Sequence, residues 1–95
     1  MNEAISRIRL TQGTTLTNVE GKDVLFSVRT GDSYGLNETA ARMLRLAIEL
    51  GMRDAASQLA GEYSVSREEL SSDLEQIVGE LIQLKLAETC PDHGG

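Results

Sequence analysis

Little in this chain of 95 residues can stack or crosslink. It holds no tryptophan, and its aromatic residues are Phe26, Tyr34 and Tyr63. A core without that bulk is built from Leu, Ile, Val, Met and Ala, which places its stability near the lower end of ~5–15 kcal/mol. The single cysteine, Cys90, excludes an internal disulfide framework. No apolar run approaches the ~20 residues that cross a bilayer. Met1-Asn2-Glu3-Ala4 lacks the basic-then-apolar order of a secretory signal, so the cytoplasm is the expected compartment. Positive charge is also short. Nine Lys and Arg against fifteen Asp and Glu leave a net charge of -6. Duplex binding rests on neutralising phosphates, so no nucleic-acid partner is expected; a basic or amphipathic one is attracted instead. No glycine-rich phosphate loop is present.

What is there divides into a lead-in, residues 1–13, a domain, 14–87, and a flexible tail, 88–95. The lead-in is polar with scattered Ile5, Ile8 and Leu10, and reads as a loose segment or as an extra edge strand. Residues 14–19 alternate and are β-branched, which predicts a strand. Glu20-Gly21-Lys22-Asp23 is turn chemistry. A second strand, 24–29, puts Val24, Phe26 and Val28 on one face and Leu25, Ser27 and Arg29 on the other. Gly31 turns the chain into a third, short strand, 33–36.

Asn37 caps a first helix predicted over 38–50, with Glu38 at the positive end of its dipole. Ala40, Met43, Leu44, Ala47 and Leu50 recur at helical spacing, and Gly51 stops it. A second helix, 53–63, turns Ala56, Leu59, Ala60 and Tyr63 inward, but its start lacks a good cap. Ser66 and Glu69 form a capping box for the third. Leu70, Leu74, Ile77, Leu81 and Leu84 share a narrow arc of that helix; Val78 and Ile82 widen one flank, and Asp73, Gln76 and Glu80 line the other. A hairpin feeding directly into three helices is an α+β arrangement, a winged helix-turn-helix with a three-stranded antiparallel sheet followed by three helices.

Two features bear on function. The third strand lies at a sheet edge, where unpaired N–H and C=O groups accept an added peptide strand; brevity alone also protects such an edge. The broad stripe of the third helix lines an exposed groove or packs entirely under the first helix. The tail holds Cys90 and His93, but two soft ligands on a loose segment make neither a zinc site nor a catalytic pair. No catalytic residue, metal or cofactor is expected.

The stretch Tyr34-x-Leu36-Asn37-x-Thr39-Ala40 resembles the strand-to-helix signature of the PqqD-like family, the RiPP recognition elements. The similarity takes in Val24 to Val28, Gly31 to Asn37, Thr39 to Leu44, Ala56 to Ala60, Tyr63 and a closing helix from Leu70 to Leu86, within residues 14–87. It implies a non-enzymatic adaptor, a peptide chaperone, that binds the leader of a ribosomally made precursor. The leader adds as a strand in the cleft between the third strand and the third helix. The adaptor then presents it to a leader protease or other modifying enzyme. Carried over by position, the peptide-binding groove uses backbone groups of Ser33, Tyr34, Gly35 and Leu36, faced by Asp73, Leu74, Ile77, Val78 and Leu81. Leu36→Pro is then the natural substitution to abolish capture. Leu50-Gly51-Met52-Arg53 departs from the family's Asp-Gly turn before helix two. Stand-alone members serve lasso-peptide and pyrroloquinoline quinone pathways, and the hairpin is nearer the lasso type. The alternatives are a winged-helix DNA-binding regulator, for which the second helix supplies only Arg53, and a structural subunit of a larger enzyme.

Overall fold

The computed structural model describes residues 7–90. The chain runs β1 (Ile8–Leu10), β2 (Thr14–Val19), β3 (Lys22–Ser27), β4 (Ser33–Leu36), α1 (Glu38–Leu50), α2 (Met52–Tyr63), α3 (Arg67–Gln83) and β5 (Ala87–Thr89). Strands β2, β3 and β4 form an antiparallel sheet in that order, and the three helices follow. This is the expected α+β winged helix-turn-helix.

The β2–β3 hairpin is set by local chemistry. Val19 pairs with Lys22, leaving Glu20 and Gly21 as a two-residue loop. Both have positive φ, 53° and 86°, which is the type I′ turn that matches strand twist. That turn starts β3 at Lys22, two residues before the expected start at Val24, and the strand ends at Ser27. The face turned to the helices carries Leu25, fully buried, and Ser27. Phe26 and Val28 point away and are 38% and 67% exposed.

The helices begin and end as their caps dictate. The Asn37 carboxamide accepts the Ala40 N–H at 2.7 Å, and the Ser66 hydroxyl accepts that of Glu69 at 3.0 Å. Helix α2 starts at Gly51 with no side-chain cap. Tyr63, expected inward, is largely exposed at the end of that helix. Helix α3 stops at Gln83, short of Leu86. The Lys85 N–H reaches the Ile82 carbonyl at 3.0 Å and the Leu86 N–H that of Leu81 at 2.9 Å, with Lys85 left-handed at φ 66°. These two bonds are a Schellman stop. Leu84, expected in the apolar arc, keeps helical register through its N–H bond to the Glu80 carbonyl at 3.0 Å, yet is 53% exposed.

The core lies between sheet and helices, with Leu25, Leu44, Leu59, Leu74, Val78 and Leu81 its most buried large side chains. Beyond α3 the chain does not become a loose tail at once. Ala87–Thr89 pairs antiparallel with Ile8–Leu10, and Ile8 and Ala87 are buried. Of the two readings of the lead-in, this is the strand, but its partner is β5 rather than the main sheet. Residues 1–6 and 91–95, and with them His93, lie outside the described residues.

Candidate functional site

Strand β4 pairs only with β3 among the described residues, so its far side is an open edge. The register is Phe26 to Ser33, Leu25 to Tyr34, Val24 to Gly35 and Asp23 to Leu36. Ser27 donates its N–H to the Asp32 carbonyl at 3.0 Å in the same register. In an antiparallel ladder, hydrogen-bonded and non-bonded pairs alternate. Tyr34 and Leu36 therefore aim their backbone groups at β3, while Ser33 and Gly35 aim theirs outward. Of the four residues expected to offer backbone to a guest, two do so. Leu36→Pro, the substitution the sequence points to, removes a bond of the sheet itself.

Side chains alternate the other way. Tyr34 and Leu36 face the helices, and Leu36 is buried in the core. Tyr34 is half-buried, and its hydroxyl donates to the Glu80 carboxylate at 2.9 Å, tying β4 to α3 across the cleft. That bond holds the phenol above its ordinary pKa, reinforced by burial and by the negative charge of Glu80. Ser33 and Gly35 lie on the outer face with Val24 and Phe26. A Cβ added to Gly35 meets nothing within 4 Å.

The opposite wall belongs to α3. Leu74, Val78 and Leu81 are 1%, 0% and 0% exposed and offer no surface to a guest. They share the arc that packs against α2 and α1, which is why they read as one apolar stripe. Asp73 and Gln76 are exposed, with Ile77 half-buried beside them. These three close a hollow of about 310 Å³ with Asn37, Thr39, Ala40 and Met43. Leu84 follows Asp73, Ile77 and Glu80 on the same helical row, at spacings of three and four residues. The sequence placed Asp73, Gln76 and Glu80 on one flank; the bond of Glu80 to Tyr34 of β4, and the exposure of Leu84, depend on tertiary packing.

Among the described residues no cluster of three His, Cys, Asp or Glu side chains is arranged to hold a metal, and no helix is long and apolar enough to cross a membrane. An open edge beside an amphipathic helix wall offers main-chain pairing along one side and side-chain selection along the other.

Fold and edge together define a winged helix-turn-helix domain with an unpaired sheet edge at β4 among the described residues. The chain belongs to the PqqD family: residues 24–87 match the model for coenzyme PQQ synthesis protein D (PqqD). The structure is similar to lasso peptide synthetase B1 complexed with the leader peptide, with a TM-score of 0.80 and 26% identity over 86% of this chain and 98% of that one. It shares its fold with TbiB1 in complex with the TbiA(beta) leader peptide, with a TM-score of 0.77 and 23% identity over 88% and 99% of the two chains. No curated protein sequence matches it significantly.

Proposed function

We propose that this chain is a leader-peptide-binding adaptor of a lasso-type pathway. It captures the leader of a ribosomally made precursor as a strand added to β4 and presents the peptide to a processing enzyme, with no catalysis of its own. The carrying observation is the open β4 edge, with outward backbone groups at Ser33 and Gly35, tied through Tyr34 to Glu80 on the outer row of α3. The solved complexes with leader peptides support the same reading. The net charge of -6 favours a guest carrying basic residues, and Asp73 is the groove carboxylate placed to meet one. An exposed pair of that kind adds only ~0.2–1 kcal/mol, so backbone pairing and apolar contact to Ile77 and Leu84 carry most of the affinity. Ordering a disordered leader opposes binding. The expected affinity is then between micromolar and nanomolar, roughly -8 to -12 kcal/mol. The cytoplasm, where precursor peptides are made, is the proposed compartment.

The test is a titration of fluorescein-labelled synthetic leader from the precursor encoded beside the chain's own gene. Saturable binding that transfers amide protection to Ser33 and Gly35 in hydrogen exchange is expected. Binding with those amides left unprotected would refute the edge as the docking site.

A further inference from the structure

A larger cleft, about 490 Å³, opens at the other side of the sheet. Its walls are the β1–β2 loop with Thr11, the end of β3 with Ser27, the following turn with Arg29, and the C-terminal end of α3 with Ile82, Lys85 and Ala87. The Arg29 side chain lies over Gly13, 3.1 Å from where a Cβ would stand, and so leans toward β2 rather than β4. Strands β2 and β4 are opposite edges of the sheet, so this cleft is separate from the groove described above.

Its chemistry is unlike that of the molecule as a whole. In a chain of net charge -6, Arg29 and Lys85 both line this cleft, and neither belongs to an ion pair among the described residues. The one carboxylate of the lining, Glu88, is held by Arg9 at 2.6 Å. Ser27 is 4% exposed, and its hydroxyl accepts the Thr30 N–H at 3.4 Å. No acceptor takes the Ser27 hydroxyl proton among the described residues, so a nearly buried donor remains unspent. The Thr11 hydroxyl, by contrast, is engaged with the Lys85 carbonyl at 2.9 Å and with Thr14. That bond fixes the backbone from which the Lys85 side chain springs. Lys85 occupies the left-handed stop of α3, a position where glycine is the usual residue. Ile82 and Ala87 supply an apolar floor.

We propose that this cleft is a second binding site, for a carboxylate-bearing peptide segment of a partner protein. Arg29 and Lys85 neutralise the acid, the Ser27 hydroxyl donates to it, and the half-buried Ile82 takes a neighbouring apolar side chain. A partner bound there leaves the β4 edge free. The inference does not depend on leader capture, because its residues and its ligand chemistry are different.

The test uses the whole ¹⁵N-labelled chain and two synthetic probes, acetyl-Leu-Asp-Glu-Leu-amide and its isostere acetyl-Leu-Asn-Gln-Leu-amide, at constant ionic strength. Saturable shifts of the amides of Thr11, Ser27 to Thr30 and Lys85 to Glu88 are expected with the acidic probe, at least fivefold weaker with the isostere. The double variant Arg29→Gln, Lys85→Gln, folded by its amide dispersion, loses the same factor or more, and Ser27→Ala loses two- to fivefold. Equal shifts with both probes, shifts confined to Ser33 to Leu36, no shift at millimolar probe, or undiminished binding by the folded double variant would each overturn it.

Discussion

Gly35→Pro isolates the guest's side of β4 from the sheet's side. The Gly35 N–H points outward, so a proline there removes no bond of the β3–β4 ladder. Gly35 is not among the positive-φ glycines, so proline asks only for a shift of φ within the extended region, and the space around its Cβ is open. Tyr34 before it is already extended, as a residue preceding proline prefers. On the edge of a sheet such a proline is tolerated. What it destroys is one donor to an added strand, leaving the guest's carbonyl unpaired at a cost of ~1–3 kcal/mol. The dissociation constant for leader peptide should therefore rise about 5- to 150-fold. Gly35→Ala keeps the N–H and adds a methyl group into open space, so it should bind nearly as the wild type does. Fluorescence anisotropy with labelled leader reads both, and circular dichroism checks that both fold. A folded Gly35→Pro protein with wild-type affinity would refute strand addition at this edge.

Leu81→Ala should destabilise the fold by ~2–5 kcal/mol in urea titration, because it empties a fully buried position, while the folded fraction binds leader normally. Loss of affinity without loss of stability would return Leu81 to the groove. Ser66→Ala removes the α3 cap and should cost about 1 kcal/mol by the same measurement, whereas a neutral result would show the helix start held by packing alone. Tyr34→Phe should cost ~0.5–1.5 kcal/mol at neutral pH through loss of the bond to Glu80. The folded phenol pKa is raised, so that contribution is complete below the ordinary tyrosine value, near 10, and fades as pH rises through the folded one. The stability gap between wild type and Tyr34→Phe should accordingly shrink in alkaline buffer; a gap independent of pH would remove the bond from the account.

The parts legible in the sequence are those written by neighbours a few residues apart. Asn37 with Ala40, and Ser66 with Glu69, fix two helix starts through single side-chain bonds. The three-helix order and the short β4 follow from the same local grammar. Strand faces did not, because β3 is apolar on both: Val24, Phe26 and Val28 alternate with Leu25, and only helix packing selects Leu25 as core. The groove wall is hard to read for a related reason. The arc that looked most binding-like, Leu74, Val78 and Leu81, is what the domain uses to fold, and the polar flank of Asp73, Gln76 and Glu80 is what it leaves exposed. The pairing of β1 with β5 joins residues such as Arg9 and Glu88, 79 positions apart, and no pattern of period 2 or 3.6 reports it.

That ribbon has a practical consequence. The Cys90 N–H donates to the Arg7 carbonyl at 3.0 Å, so the described domain begins and finishes side by side. Such a module fits into a surface loop of a host protein like a plug with both wires leaving from one end. Circular permutation should be tolerated too, with a short linker joining Cys90 to Arg7 and new ends opened at the exposed Glu20-Gly21 loop, which lines neither cleft.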